Sequence, residues 1–392
     1  MQKHKIFIFF LIVSGFILFN SCKETNKQNN FDDIFIQSRD IDFIRPENSE
    51  EMFVTQYIKT DTSDYLIYLE QNKNILNFYN FKTGELLFNL KIPFKKKIQS
   101  FFVRNLNSIF FTPKYNFELL EYKNNNVDSI FFLDIYNSDA SGIIDLYDLG
   151  NYLEFLPSVI SPLYYQDSLF YISGALDPTM DKNNLRPLYI ISNKKNNFFI
   201  NTKVARFPKE MVVEGKTDYP FDCIVSFSVN NKDEIIVSFS TDHSLYIYQD
   251  FVLKKKKECR SSFIKDFPQP IALNQINDME LYENRSNEST VYIGIYYDKN
   301  RDVYYRTVKL KVREQSKTLF DINDFMYSIM LIDSNFEVIG EQLFNNKEYL
   351  FNSLVVTSEG IMLRKPDDLS GTSHFSVFEI NNKYLTDEKN KN

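Results

Sequence analysis

The feature that most constrains this chain is the rhythm of its apolar residues. They come in short bursts or alternate with polar residues, and turn-forming residues interrupt them. Helical spacing is nearly absent, and a period of two over strand-length runs signals β-structure. Asp64–Glu70, Ile75–Asn80 and Glu85–Lys91 show the pattern, joined by Gln71-Asn-Lys-Asn74 and Phe81-Lys-Thr-Gly84. With Met52–Ile58 ahead of them they make one unit of four strands.

Comparable units follow over 98–136, 161–207, 223–257 and 290–343, and a last one over 353–380 has only three strands. Asp33–Gln37 or Arg39–Ile44 can supply its fourth strand by pairing beside His374–Ile380. Such pairing closes a ring and removes the open edges that threaten any sheet protein. The expectation is an all-β chain, a β-propeller of six blades with four antiparallel strands each, closed by an N-terminal strand. It occupies one domain over 32–385, with a disordered tail over 386–392. Seven blades remain an alternative if Tyr136–Pro162 or Phe263–Asn287 holds another, and a pair of β-sandwiches is a third arrangement.

Ahead of the first strand lies a different kind of segment. Lys3 and Lys5 precede an apolar run, Ile6–Phe19, that ends at Asn20-Ser21-Cys22. A bilayer-spanning helix needs about 20 apolar residues. This run is shorter and has the charged, apolar and small-residue order of a secretory signal. A small residue directly before a lone cysteine resembles the lipobox of bacterial lipoproteins. The expectation is a signal peptide over 1–21, acylation of Cys22, and a flexible polar tether over 22–31. One acyl chain holds a protein only marginally, and two or three hold it durably. The implied location is the cell envelope, on the outer membrane, with the periplasmic and surface faces both open.

Composition narrows the function. A formal net charge of −7 excludes a general nucleic-acid role. Aromatics are 16% of the chain but none is Trp, the residue most used for stacking on sugars. Beyond Cys22 only Cys223 and Cys259 occur, able to pair in an oxidising compartment or to stay as buried thiols. After the leader only His243 and His374 remain, so a multi-histidine metal centre is excluded.

Ile75-Leu-Asn-Phe-Tyr-Asn-Phe-Lys-Thr-Gly-Glu-Leu-Leu87, Tyr296-Tyr-Asp-Lys-Asn-Arg-Asp-Val-Tyr-Tyr-Arg306 and Phe351-Asn-Ser-Leu-Val-Val-Thr-Ser-Glu-Gly-Ile361 carry a resemblance across most of the chain. It resembles an uncharacterised family of Bacteroidetes lipoproteins, a domain of unknown function with a six-bladed propeller. The resemblance implies fold and envelope location, and brings no catalytic residue.

Three segments carry candidate chemistry. Asn137, Asp139, Ser141, the Ile143 carbonyl, Asp145 and Asp148 have calcium-loop spacing, with Gly142 at the turn. Asn at the first position and a short Asp at the last weaken it, and a solvated loop accounts for the same residues. Apart from calcium no cofactor is implied. Tyr296, Arg301, Tyr305 and Arg306 surround a hairpin with Asp298 and Asp302, and Tyr and Arg are favoured at binding hot spots. Local Asp–Arg pairing is the competing reading. Asp242-His243 could orient an imidazole for base catalysis, although no nucleophile motif accompanies it.

The functional expectation is a lipid-anchored binding or interaction module with a protein or glycan ligand. The alternative is a glycan lyase or hydrolase with carboxylates at the propeller channel. Anchoring is directly measurable. Intact-mass analysis of the membrane-extracted protein is expected to show a chain beginning at Cys22 and carrying two or three acyl groups. A retained Met1 or a bare Cys22 thiol would contradict it.

Overall fold

A strand with two apolar faces needs a neighbour on each side, and this chain supplies that neighbour by stacking sheets around a ring. The computed structural model describes residues 33–47, 49, 52, 54–114, 118–132, 163–173, 187–194, 197–201, 203–218, 225–311, 325–366 and 371–385. All belong to one compact unit, Asp33–Asn392. The leader and tether, Cys22, the 137–148 loop, Cys223 and the 386–392 tail lie outside the described residues.

The described chain begins with β1 (Phe35–Ile44). Blade I is β2 (Thr55–Lys59), β3 (Asp64–Glu70), β4 (Ile75–Asn80) and β5 (Leu86–Lys91). Blade II is β6 (Ile98–Asn105), β7 (Ser108–Pro113), β8 (Glu118–Lys123) and β9 (Asn126–Phe132). Blade III is β10 (Tyr164–Gln166), β11 (Leu169–Ser173), β12 (Leu188–Lys194) and β13 (Asn197–Asn201). A two-stranded ribbon, β14 (Lys216–Thr217) with β19 (Ile271–Ala272), flanks blade IV in sequence. Blade IV is β15 (Val225–Val229), β16 (Ile235–Phe239), β17 (Ser244–Gln249) and β18 (Val252–Glu258). After helix α1 (Met279–Glu288), blade V is β20 (Val291–Asp298), β21 (Val303–Lys309), β22 (Met326–Ile332) and β23 (Val338–Asn345). Blade VI is β24 (Val355–Val356), β25 (Ile361–Arg364) and β26 (Thr372–Ile380), completed by β1.

This is a six-bladed β-propeller with four antiparallel strands in every blade, and the N-terminal strand closes it. The two segments weighed for that role are one strand. β1 runs from Phe35 opposite Ile380 to Ile44 opposite Thr372, with a bulge between Gln37 and Arg39. Of the stretches that could have held a seventh blade, Phe263–Asn287 holds β19 and the polar helix α1 instead. Asp278 caps α1 by accepting from Leu281 N at 3.0 Å. Tyr136–Pro162 lies outside the described residues.

The core is divided among the blade junctions. Ile67, Phe78, Val103 and Phe111 fill I–II, and Phe110, Leu119, Phe170 and Ile191 fill II–III. Tyr171, Ile190, Phe227 and Val237 fill III–IV, and Ile236, Ile247, Tyr304 and Ile332 fill IV–V. Tyr305, Ile329, Ile361 and Phe378 fill V–VI, and Phe43, Leu66, Tyr79 and Phe375 fill VI–I. This explains the burial pattern. Middle strands such as β7 and β16 are buried at every residue, because both faces meet a blade. Outer strands such as β18 are almost wholly exposed. The four-lysine run Lys254–Lys257 lies there, where cationic side chains discourage a foreign strand from pairing.

Turn chemistry sets the hairpins. Asn124-Asn125, Asp167-Ser168 and Asp250-Phe251 each have two positive φ angles, the signature of two-residue turns that match strand twist. Gly84 (φ +73°) ends the β4–β5 turn against blade VI, where an added Cβ would sit 1.9 Å from Asp42 O. The first-to-second and third-to-fourth strand turns share one end of every blade, here termed the tip end. The second-to-third turns and the inter-blade connections share the other, the crossover end.

Ring closure is testable through Phe43, fully buried between Tyr79 and Phe375 with both ring centroids at 5.4 Å. Phe43→Ala is expected to cost about 3–5 kcal/mol in urea unfolding. Ile44→Ala next to it, at a site 71% exposed, should change stability by less than about 0.5 kcal/mol.

Candidate functional site

The residues singled out in sequence do not form one site. Tyr296, Arg301, Tyr305 and Arg306 stand around the β20–β21 hairpin, and Asp242 and His243 stand at the β16–β17 turn. The two groups sit at opposite ends of the ring, and only Arg306 reaches from one to the other.

Asp298 organises the hairpin. Its fully buried carboxylate accepts from Arg301 Nη1 and from Tyr305 Oη, each at 2.8 Å, and from Asn300 N at 2.9 Å. Burial and the adjacent Asp298 push the Tyr305 hydroxyl well above its ordinary range. Tyr305 is fully buried and Tyr296 half-buried against the V–VI core. Arg301 turns outward to blade VI, where Nη2 donates to Ser358 O at 3.0 Å. The Asp–Arg pairing is therefore local, and the hairpin tyrosines and Arg301 pack into the ring.

Arg306 is fully buried at the IV–V junction, and its donors all meet blade IV or the loop after it. Nε donates to Ser238 Oγ at 3.0 Å, and Nη1 to His243 O at 2.7 Å and Cys259 O at 3.0 Å. Nη2 donates to Asp242 O at 2.7 Å and Phe239 O at 3.4 Å. The guanidinium lies 3.3 Å from the Tyr292 ring centroid. Burial lowers its pKa from the ordinary value, against the opposing pull of Tyr292 and Cys259. A ligand has no donor left to engage there.

Asp242 does not hold the His243 ring. It accepts from Ser244 N at 2.8 Å and from Tyr246 Oη at 2.6 Å, and lies 3.4 Å from Lys256 Nζ. His243 Nδ1 instead stands 2.8 Å from Tyr292 Oη, whose oxygen already accepts from Ser261 N. That arrangement suits a neutral ring accepting the tyrosine proton. Burial, then Arg260 and Arg306, lowers the His243 pKa. Beyond Ser261, the buried Glu341 carboxylate accepts from Ser261 Oγ and Ser328 Oγ, both at 2.6 Å, and from Ser262 N at 2.7 Å. Cys259 is a free buried thiol, raised by burial to about 11, and donates to Phe336 O at 3.1 Å. Lys309, lowered by burial to about 8, donates to Ser286 O in the last turn of α1 at 2.5 Å. These groups knit the ring together.

Most tip-end turns are linked around the circumference. Gln166 Nε2 of blade III donates to Asn230 O of blade IV at 3.4 Å, and Asn230 Nδ2 to Tyr304 Oη of blade V at 2.9 Å. Arg301 carries the chain to blade VI, and Tyr57 of blade I donates to Ser358 Oγ of blade VI at 2.6 Å. Between blades I and II the link lies deeper. Gln56 accepts from Val103 N at 2.7 Å and donates to Val103 O at 3.3 Å. The turns themselves stand apart, with no bond between them among the described residues.

The gap is a cleft of about 510 Å³ lined by Thr60, Arg104, Asn105, Leu106, Asn107, Ser108, Glu121 and Lys123. Ser108 Oγ donates to Glu121 at 2.5 Å, aiming that carboxylate along the wall. Arg104 and Lys123 are exposed, and the described residues give neither an ion-pair partner. Arg104 is steadied over the Tyr165 ring, 5.3 Å from its centroid. The cleft thus offers two cations, one anchored carboxylate and several amide and hydroxyl groups. Sequence reading singled out none of these residues, because they are ordinary turn residues until two turns are placed side by side. Among the described residues no three His, Cys, Asp or Glu side chains converge as a metal site.

Residues 20–343 match a family described as a domain of unknown function, DUF4221. No curated protein matches the chain. A crystal structure of a DUF4221 member from Bacteroides vulgatus aligns with a TM-score of 0.70 at 16% identity, covering 88% of this chain and 98% of that one. A protein of Bacteroides fragilis, described as a candidate exported protein, aligns with a TM-score of 0.50 at 11% identity, covering 89% and 96%. At such identities the likeness concerns the fold.

Two predictions follow from the IV–V junction. Arg306→Met removes a donor from the carbonyls of Phe239, Asp242, His243 and Cys259, of which His243 O keeps Cys259 N and Cys259 O keeps Tyr292 Oη. It is expected to cost about 2–4 kcal/mol, with Arg306→Lys recovering little because an ammonium lacks the fork. Chemical denaturation measures both. His243 binds fewer protons folded than unfolded, so it contributes stability above pH ~6.5 that is lost as pH falls toward its lowered folded pKa. Urea midpoints from pH 7.5 to 5 should show this decline, and His243→Gln should reduce its slope.

Proposed function

This chain belongs to the DUF4221 family, and we propose that it is a lipid-anchored envelope binding module whose ligand is a glycan seated in the blade I–II cleft. One contrast carries the reading. The buried ionisable groups at the IV–V junction and the β20–β21 hairpin serve the ring, whereas Arg104 and Lys123 stand exposed beside a cavity. About 300–1,000 Å³ is the usual size of a small-ligand site. Seven of the eight lining residues, all but Leu106, bring an amide, hydroxyl or charged group, which gives a hydroxyl-rich ligand partners to bond. Two cations beside one held carboxylate favour a glycan that carries an acidic group, with Arg104 gripping the acid and Asn105 and Asn107 meeting hydroxyls. The leader and Cys22 reading places such a module outside the cytosol, where glycans abound.

Titration calorimetry against acidic oligosaccharides tests this. The intact protein is expected to bind at least one, and Arg104→Ala to weaken it about tenfold or more, the size of one charge-assisted hydrogen bond. Binding unaffected by Arg104→Ala and Lys123→Ala would remove the cleft from the account. Turnover of the bound glycan would replace the binding module with a lyase or hydrolase.

A further inference from the structure

The β17–β18 turn of blade IV holds an aromatic residue in the left-handed region, as the β22–β23 turn does at the buried Phe336, but here the ring is exposed. Asp250-Phe251 makes it with φ of 52° and 63°. A bulky aromatic in the left-handed region is strained, where Gly or Asn would be relaxed. The strained ring is also offered to solvent. Phe251, Val252 and Leu253 are 37%, 57% and 47% exposed, three consecutive large apolar residues at a hairpin tip. The lysine run follows at once. Lys256 pairs with Glu210 and Asp242, and Lys257 with Glu337. Lys255 lies over the Phe336 ring at 5.5 Å and Lys254 is exposed, and the described residues give neither a carboxylate partner.

This tip shares its end of the ring with the start of the described chain. β1 begins opposite Ile380, two residues past Phe378, which pairs with Ile361 directly after the β24–β25 turn. Asp33 therefore meets the ring at the tip end of blade VI. Eleven peptide steps separate it from Cys22, a reach of at most about 40 Å. Ile36 and Val338, 49% and 38% exposed, lie in the opening residues of the outer strands of blades VI and V, on the same side and end. Around a six-bladed ring the I–II cleft lies across from the IV–V junction.

We propose that the tip-end rim of blades IV to VI rests on an anionic lipid surface, with Phe251, Val252 and Leu253 in the interface and Lys254 and Lys255 on the headgroups. Apolar residues beside cations are the combination that holds a protein at an anionic bilayer surface. The contact leans the ring onto one side and leaves the cleft facing away. This inference rests on acylation of Cys22 and is independent of what the cleft binds.

The chain has no Trp, so Phe251→Trp installs a single Trp that can be excited selectively on the long-wavelength side of the Tyr absorption. The full acylated protein is incorporated in vesicles of phosphatidylcholine mixed with phosphatidylglycerol. Ile44→Trp, exposed at the crossover end, is the comparison. The Phe251→Trp emission is expected to move to the blue and to be quenched severalfold by brominated acyl chains, with the Ile44→Trp emission unchanged. Lys254→Glu with Lys255→Glu should weaken that quenching on anionic vesicles. Protein that floats with the vesicles while the Phe251→Trp reporter stays unquenched overturns the lipid contact alone. Protein that fails to float overturns the anchor and the contact with it, and glycan binding measured on the same sample stands or falls separately.

Discussion

Each sheet here has two apolar faces, and no blade can bury both without its neighbours. The ring answers that constraint once, at every junction, and it works only if the last junction is made. The β1–β26 pairing makes it, joining the beginning of the propeller to its end across more than three hundred residues of sequence. Phe43 packs on Tyr79 of blade I and Phe375 of blade VI, so the closing strand also contributes to the core it seals. Without β1, blade VI would present β26 as a naked edge.

Polar groups inside the junctions add register to that adhesion. A guanidinium at Arg306 meets carbonyls of residues 239, 242, 243 and 259 in one arrangement, so blade V can dock on blade IV in one way. Gln56 does the same with the Val103 peptide, and Gln342 with Phe35, each side-chain amide taking both the N–H and the C=O of a neighbouring blade. Charges used in this way cost desolvation, and their value lies in geometry more than in net energy. Among the described residues, the blade I–II tip end sets charged groups that face water beside a cavity.

Much of the architecture was legible in the residues. Strands β3 and β4 coincide with their alternating runs, and the three-strand count of the last unit pointed to closure by the N-terminus. α1 was not legible, because Met279–Glu288 is polar and shows no apolar face at helical spacing. The candidate site was scarcely legible at all. Asp242 and His243 adjoin in sequence, yet one faces Tyr246 and the other Tyr292. Arg306, a candidate contact beside a structural reading in the sequence, is buried with its donors on blade IV and the loop after it, and that burial depends on a blade that sequence order does not reveal. Arg104 and Thr60 belong to different blades and line one cleft only when the ring is assembled.

Hydrogen exchange tests the closing strand most directly. If β1 is an integral part of blade VI, its amides from Phe35 to Ile44 that bond to β26 should open only with global unfolding. They should then share the protection of the central strands β3 and β16 under exchange conditions that report opening free energies. Exchange of β1 at a much lower free energy, with the other blades still protected, would contradict the claim that this pairing holds the ring shut.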